Sequence, residues 1–483
     1  MEESNLIGRD KEVALLSRLL QSEKPRFLAI YGRRRVGKTF LIRNYFKTNI
    51  QFSFSGSFEE TTKVQLQNFF SEYLTRTNGK KETTPPKDWS TAFHYLLKHI
   101  ESLSHKKKKI VIFIDELPWL DRPKSGFVKA LEYFWNQHIS TMNNVLLIVC
   151  GSSASWMQKK ILKSKGGLYN RITNRIRLEP FSLAETEKFI KHKKLKLTRY
   201  QIIQLYMVMG GVPFYLDELT QGKSVEQLID SVCFSPTGLL HDEYEKLYYS
   251  LFKNAGNHMK IIKALGNSPN GLSRDVVLKK SKLPEGGTFS RALDELLESG
   301  FIVKFNPFKK KKKDAIYKLI DFYSLFYLKF IQRNKSKSSL TWQKIANGNS
   351  FKAWSGYAYE NICFIHSAQI IKKLGLSGTF TDMSSWKHRG DHETDGAQID
   401  MLIDRKDGVI NLCEVKFTEN NFIISKQFVS SLRKKRSVFS HVTKTKKSVT
   451  TTLITTHPVI QNHYYLEEIH SEINMKDLFT DDI

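Results

Sequence analysis

The sequence predicts a multidomain α/β protein, and three stretches carry that reading. A glycine-rich loop sits between a buried strand and a helix near the N-terminus (26–46). Three short amphipathic helices and a lysine-tipped hairpin fill the middle (258–320). An apolar hairpin bearing Asp400, Glu414 and Lys416 lies near the C-terminus. At 483 residues the chain is too long for one core, and roughly three domains are expected. Lys and Arg outnumber Asp and Glu 76 to 48, a formal charge of +28, which favours a polyanionic partner such as nucleic acid or nucleotide. No membrane association is expected, because no apolar run approaches ~18–20 residues and no signal-peptide pattern opens the chain. Cys150, Cys233, Cys363 and Cys413 are scattered among apolar neighbours without a C-x-x-C pair. That predicts reduced core residues of a cytoplasmic protein, and no zinc site.

The first element is a nucleotide site. In "RFLAIYGRRRVGKTFLIRNYF" (26–46), Phe27–Tyr31 reads as a buried strand and Thr39–Phe46 as a helix. Between them Gly32, Gly37, Lys38 and Thr39 spell G-x-x-x-x-G-K-T. The glycines let the loop wrap a phosphate, backbone N–H groups point inward, and the helix N-terminus adds partial positive charge. Lys38 would neutralise the β- and γ-phosphates of ATP, and the Thr39 hydroxyl would bind magnesium. A second strand, in "KKKKIVIFIDELPWL" (106–120), ends in Asp115-Glu116; Asp115 can hold the metal through water and Glu116 can polarise the attacking water. The lysines before it, 106–109, read as a soluble turn. A third apolar run, "NVLLIVCGSS" (144–153), ends in Ser152 and Ser153, either of which could sense the γ-phosphate. Arg171 and Arg175 precede another β-like stretch, either to reach a phosphate on the same or a neighbouring subunit or as solvated surface arginines. "MGGVPFYL" (209–216) reads as a Gly-Pro turn in a helical region, a lid over the nucleotide.

In this order the elements resemble archaeal-type P-loop ATPases, relatives of the AAA+ and STAND ATPases. The resemblance spans about residues 1–250 and rests on "LIGRDKE" (6–12), the P-loop, "IDELPW", "LYNRI…RLEPFS" and "GGVPFYL". It implies that Gly8 and Arg9 lie near the adenine, that Ser152 is the sensor, and that Pro213 lies in the lid's G-x-P turn. Family members carry consecutive arginines after a glycine where Asn170-Arg171-Ile172 keeps one, so Arg171 matches the arginine-finger pattern only in part.

From Asn257 onward the pattern becomes that of short helices: "HMKIIKALGN" (258–267), "LSRDVVLKKSKL" (272–283) capped by Ser273, and "TFSRALDELLESG" (288–300). Two strands follow, "FIVKFNPF" and "AIYKLID", joined by "KKKKKD". Three helices and a basic hairpin make a winged helix-turn-helix. Lys309, Lys310, Lys311, Lys312 and Lys313 would occupy the wing tip, where lysines contact the phosphate backbone without reading sequence. A solvated loop or a protein-packing module is the alternative.

Residues 332–350 are polar and read as a linker. "FKAWSGYAYENICFIHSAQIIKKLG" (351–375) is an amphipathic helix with Glu360 among aromatic and small residues. In "QIDMLIDRKDGVINLCEVKF" (398–417) a three-residue loop, Lys406-Asp407-Gly408, pairs Arg405 with Val409 and hence Asp400 with Glu414. Opposed Cβ atoms in such a pair are ~4.5–5.5 Å apart, and two carboxylates that close repel unless a cation lies between them. The pair therefore reads as a divalent metal site, for magnesium or manganese, with Glu360 a further ligand. Lys416 on the same face could activate the attacking water or stabilise the developing phosphorane charge. Asp, then Glu-x-Lys on a hairpin after a Glu-bearing helix, is similar to the PD-(D/E)XK nuclease core, through about residues 350–483. That resemblance maps Glu360, Asp400, Glu414 and Lys416, places Gln398 in the family manner, and makes Lys426 an accessory basic residue.

The expected architecture is thus a P-loop parallel-sheet ATPase core (1–180), helical lid (181–255), winged helix-turn-helix (256–330), linker (331–350) and restriction-endonuclease-like α/β domain (351–483). The expected function is ATP binding and hydrolysis, with a metal-dependent nuclease acting on nucleic acid, DNA foremost, its access gated by ATP. The alternative is an ATP-dependent switch that binds DNA or protein through an inactive nuclease fold. A homo-oligomer is compatible with either.

Overall fold

Runs of apolar residues with no polar face are stable as parallel strands covered by helices on both sides. The computed structural model, which describes residues 6–77, 84–103, 108–163, 168, 170–334, 341–392 and 394–481, has three such strands at the centre of its first sheet. These are β1 (Arg26–Tyr31), β3 (Ile110–Asp115) and β4 (Val145–Gly151), buried over almost their whole length. With β2 (Ile50–Ser55) and β5 (Asn174–Arg177) they form a parallel sheet in the order β2-β3-β4-β1-β5. Strand alternation sends Leu28 and Ile30 to one face, where they pack with Leu16 and Leu19 of α1 (Asp10–Leu20) and Leu41 and Ile42 of α2 (Lys38–Phe46). Phe27 and Ala29 face the other way, into an aromatic-rich core with α3 (Thr62–Thr77), α4 (Trp89–Leu103) and α5 (Phe127–Gln137). The turn before β3 is more than a solvated run. The Lys109 ammonium donates to the carbonyls of Ser22 (2.5 Å), Lys24 (2.7 Å) and Asn143 (3.0 Å), tying three loops at the N-terminal edge of the sheet; the expected soluble turn is corrected here for Lys109.

The chain divides into two compact units, one running to Pro180 and including Ser250–Lys253, the other made of Phe181–Tyr249 and Asn254–Ile483. The second unit begins with α6 (Leu183–His192) and α7 (Arg199–Met209), each opened by a capping box, Ser182 with Glu185 and Thr198 with Gln201. Next come α8 (Ala255–Gly266), β6 (Leu272–Ser273), α9 (Arg274–Ser281), α10 (Gly287–Glu298), β7 (Ile302–Phe305) and β8 (Ile316–Leu319). Strands β6, β7 and β8 form a small antiparallel sheet in the order β6-β8-β7.

The stretch expected as a linker carries an anchor. Thr341–Ile345 is helical, Trp342 is 1% exposed among Phe234, Phe326, Phe330 and Phe351, and the buried Asp230 carboxylate accepts the backbone N–H of Trp342 at 2.7 Å. Polar composition hid it, because one tryptophan held at a helix N-terminus carries the contact.

After α11 (Asn349–Ile365) come β9 (Thr381–His388), β10 (Ala397–Arg405) and β11 (Val409–Lys416). The chain continues through β12 (Phe422–Ile423), α12 (Lys426–Thr443), β13 (Ser448–Thr455), β14 (Val459–Ile460) and β15 (Ser471–Asn474). The large sheet runs β15-β13-β11-β10-β9; β9, β10 and β11 pair antiparallel, whereas β11, β13 and β15 pair parallel. The β10–β11 hairpin has the register expected from its turn, with Met401 opposite Cys413 and Gly408 left-handed at φ 89°. A β-bulge between Ile399 and Leu402 puts one extra residue of β10 against β9, beside Asp400. Bulges of this kind re-aim a side chain. Among the described residues no helix is long and apolar enough to cross a membrane. All four cysteines are buried thiols outside any disulfide.

Candidate functional sites

Three loops meet at the C-terminal edge of the parallel sheet, where ligands of such sheets bind. The loop after β1 is the P-loop, β3 ends in Asp115, and β4, which leads to Ser152, lies between them. Gly32 has φ +150° and an ideal Cβ there would lie 2.2 Å from the Leu178 carbonyl oxygen, so only glycine lets the loop leave β1 beside β5. Gly37, left-handed at φ 90°, caps α2. The buried Lys38 ammonium donates to the carbonyls of Gly32 (3.0 Å) and Arg33 (2.8 Å), so the loop curls round its own lysine. The Thr39 hydroxyl donates to Asp115 Oδ2 at 2.6 Å, and Asp115 Oδ1 accepts the Glu116 N–H at 2.9 Å. A hydroxyl and a carboxylate converging in this way fit a magnesium ion held with a nucleotide.

Glu116 adopts a left-handed backbone, φ 48°, and its Oε2 accepts both the N–H (3.1 Å) and the hydroxyl (2.8 Å) of Ser152. Burial pushes its carboxyl above the usual range; Lys38 works against that and Asp115 adds to it. Arg9 is buried and braces the loop, donating to the carbonyls of Val36 (3.1 Å) and Glu179 (2.9 Å), with left-handed Gly8 just before it. Arg171 and Arg175 are exposed. Pro213 belongs to the second unit and opens the short helix Pro213–Leu216. Two residues earlier, Gly211 has φ +67° and an ideal Cβ 2.1 Å from the Phe181 carbonyl oxygen.

The second site lies in the large sheet of the second unit. Continuing the hairpin register one step puts Asp400 opposite Glu414. Glu414 is buried, and each of its oxygens meets a lysine: Oε1 the Lys416 ammonium at 2.8 Å, Oε2 the Lys435 ammonium at 2.7 Å. Lys435 comes from α12, which packs over the face of β10 and β11 through Val438 and Phe439. Glu360 comes from α11, and Lys318 of β8 lies 4.0 Å from its Oε2. The positive charge is unevenly shared. Two lysines hold Glu414, while Lys318 faces Glu360 and feels Asp400 as well.

Burial, then the Asp400 charge, pushes Glu360 up to about 8 against the pull of Lys318. Burial, then Glu414, raises Asp400. Burial lowers Lys318, opposed by Glu360 and Asp400. For Lys416, burial acts downward, but Glu414, Asp400 and Glu360 outweigh it and the value rises. Hard carboxylate oxygens that resist ionising together fit a divalent cation. Among the described residues no three His, Cys, Asp or Glu side chains converge tightly enough to hold one as they stand.

Residues 6–219 match the family described as an ATPase domain predominantly from Archaea. They form an archaeal-type ATPase domain. An uncharacterized protein of Methanocaldococcus jannaschii is 25% identical over 394 residues, 80% of this chain and 82% of the relative. An uncharacterized ATP-binding protein of the same organism is 21% identical over 293 residues, 52% of this chain and 80% of the relative. Among solved structures, a Walker-type ATPase of Pyrococcus abyssi aligns with TM-score 0.47 at 18% identity, covering 68% of this chain and 97% of that one. The ORC2 protein of Aeropyrum pernix, solved as ADPNP and ADP complexes, aligns with TM-score 0.42 at 13% identity, covering 71% and 98%.

Within the ATPase domain, Gly32, Gly37, Lys38, Thr39, Asp115, Glu116 and Ser152 gather at one sheet edge, with Arg9 behind the loop. In the second unit, Glu360, Asp400, Glu414 and Lys416 gather at the hairpin. The lysine run is not a free wing tip throughout. Phe308 is buried against Phe439 and Trp386, its N–H bonds to Ser385 O, and the Lys309 ammonium donates to Thr443 O at 2.8 Å. Lys310, Lys311 and Lys313 are exposed; the Lys312 side chain lies outside the described residues. The lysine of α12 that reaches Glu414 is Lys435. Lys426, exposed at the first residue of α12, is nine positions away, about 13 Å along the axis. Two site residues were missed, Lys318 and Lys435. Lys435 had a signal: with Leu432 and Phe439 it falls on the buried stripe of α12, where an isolated lysine needs a partner.

Proposed function

We propose that this protein binds and hydrolyses ATP in the N-terminal domain and cleaves nucleic acid, with DNA as the first candidate, at the Asp400–Glu414–Lys416 site. The observation that carries the nuclease reading is the pairing of Asp400 with Glu414 on a hairpin whose next face position is Lys416. The order α11, β9, β10, β11, α12, β13 supports it, since a helix, three antiparallel-paired strands, a helix and a parallel strand would frame such a site. The order α8, β6, α9, α10, β7, β8 supports a winged helix-turn-helix beside it.

In the ATPase site, Lys38 exchanges the carbonyls of Gly32 and Arg33 for phosphate oxygens, and the P-loop N–H groups close on the same phosphates. Thr39 and Asp115 would hold magnesium, which supplies charge neutralisation at the β- and γ-phosphates. Glu116 orients the attacking water with the oxygen not engaged by Ser152, and Ser152 senses the γ-phosphate by releasing or keeping Glu116. Gly8 and Arg9 would lie near the adenine, as the resemblance implies.

At the second site, Asp400 and Glu414, with Glu360, would hold magnesium or manganese, which supplies Lewis-acid activation of water and phosphate. Lys416 turns from Glu414 toward the scissile phosphate and stabilises the charge that builds there. Lys435 orients Glu414 through its contact with Oε2. The exposed Lys310, Lys311 and Lys313 extend the phosphate-contacting surface. ATP state would alter access to this site.

The test is incubation with linear and circular DNA, and RNA, plus magnesium or manganese, with and without ATP, for wild type, Asp400→Ala and Lys38→Ala. Cleavage that survives Asp400→Ala sinks the nuclease reading, and ATP turnover unchanged by Lys38→Ala sinks the roles given to the P-loop. A second reading, an ATP-dependent switch that binds without cutting, is favoured by one observation: both Glu414 oxygens are already held by lysines.

A further inference from the structure

The acidic site is not built by the C-terminal segment alone. Three contacts join its rim to the small sheet of β6, β7 and β8. Lys318 of β8 lies 4.0 Å from Glu360, and both side chains are about one-seventh exposed, 13% and 15%. The neighbours of that pair also bond, Asn361 Nδ2 donating to the Leu319 carbonyl at 3.2 Å in a buried contact. Across the site Gln398, two residues before Asp400, exchanges amide hydrogen bonds with Asn270, at 3.0 and 3.1 Å, in the turn before β6. The residues beside Glu360 and Asp400 are thus fastened to the same small sheet.

Lysine is a poor choice for such a position unless its charge is used. A buried ammonium is stable only beside carboxylates, and the carboxylates within reach of Lys318 are Glu360 and, at longer range, Asp400. Those same groups would have to turn to a divalent metal.

We propose that Lys318 is the internal cation of the acidic site, a tethered ammonium that competes with a divalent metal for Glu360 and Asp400. Metal entry and docking of the β6–β8 sheet are therefore linked: binding the metal expels Lys318 and loosens its strand, and removing the lysine charge makes the site take metal more readily. Linkage requires the two effects to be equal in free energy. This rests on the metal-site reading of Asp400 and Glu414, and gives that site its regulation.

The experiment uses the full chain without nucleotide and manganese alone as probe. Calorimetry compares wild type, Lys318→Gln, Lys318→Arg and Asp400→Asn. Lys318→Gln should bind manganese more tightly by roughly 5–150-fold, the usual span of coupled sites. Lys318→Arg, which keeps the charge, should stay near wild type, and Asp400→Asn should lose the site. Hydrogen exchange on unmodified protein gives a second reading: manganese should speed exchange in β8 and β6, and should not do so in Asp400→Asn. Lys318→Gln affinity within about twofold of wild type, with Asp400→Asn still abolishing binding, overturns the internal cation and leaves the metal site standing. Manganese that slows exchange in β8 also overturns it. No Asp400-dependent manganese binding in any of the proteins overturns both readings.

Discussion

Glu360→Gln should make the second unit more stable in mildly alkaline solution, not less. Glu360 sits in α11 with its side chain 15% exposed, and burial followed by the Asp400 charge pushes it up to about 8, against Lys318. A raised carboxyl keeps its proton in the folded state over a pH range where the unfolded chain has lost it. Between the ordinary 4.5 and about 8 the folded state therefore binds more protons. Its contribution to stability is full below the unfolded value and is lost as pH rises through the folded one. At about 1.36 kcal/mol per pKa unit, that interval bounds the loss at about 5 kcal/mol. Glu360 and Asp400 titrate jointly, which brings the expected figure to about 2–5 kcal/mol. Glutamine is neutral throughout and matches the protonated acid in shape. The variant should equal wild type to within about 1 kcal/mol near pH 5, and exceed it by about 2–5 kcal/mol near pH 9. Denaturant-dependent hydrogen exchange read in α11 peptides measures this within the second unit. A variant less stable than wild type at the higher pH, or a difference that does not change with pH, refutes the reasoning: burial and the Asp400 charge would then not hold the Glu360 proton.

Three further outcomes are expected. Glu116→Gln should bind ATP within a fewfold of wild type yet lose about 10²-fold or more in turnover, measured by phosphate release, because Glu116 is the water-orienting group in the proposed mechanism and Ser152 can still hold the amide. Gly32→Ala should destabilise the first unit by about 2–5 kcal/mol, since the added Cβ meets the Leu178 carbonyl at 2.2 Å with φ +150°; thermal unfolding and nucleotide titration check it. Asp230→Ala should leave the N–H of Trp342 and Gln343 without their carboxylate, costing about 1–3 kcal/mol and speeding protease cutting near Thr341–Ile345.

Much of this molecule was readable because local rules sufficed. The P-loop announces itself through glycine spacing between a strand and a helix, and the order of apolar runs foretold parallel strands ending at Asp115 and just before Ser152. The hairpin register followed from Gly408 and from strand alternation, so Asp400 and Glu414 could be placed together from the letters alone. What stayed hidden depends on segments distant in sequence. Lys318 alternates with Tyr317 and Leu319 and looks like a solvent-facing wing residue until the far face of its sheet meets Glu360, 42 positions later. Lys435 is hidden among its neighbours in "RKKR", of which only this one reaches Glu414. Trp342 and Lys109 were overlooked for the same reason: a polar stretch gives no hint that one of its side chains is anchored elsewhere.

The bulge in β10 bears on how related sequences should be compared. Side chains of a strand alternate, so a residue's face depends on whether an odd or even number of positions separates it from a fixed point. The extra residue between Ile399 and Leu402 changes that parity against β9 while the ladder with β11 runs on undisturbed from Met401. A relative that had lost one residue here could still show an aspartate, a glutamate and a lysine in an alignment with a single gap. Its aspartate would nevertheless project from the opposite side of the sheet to its glutamate. Counting residues from the turn glycine, rather than matching acidic letters, is what would tell a kept site from a lost one.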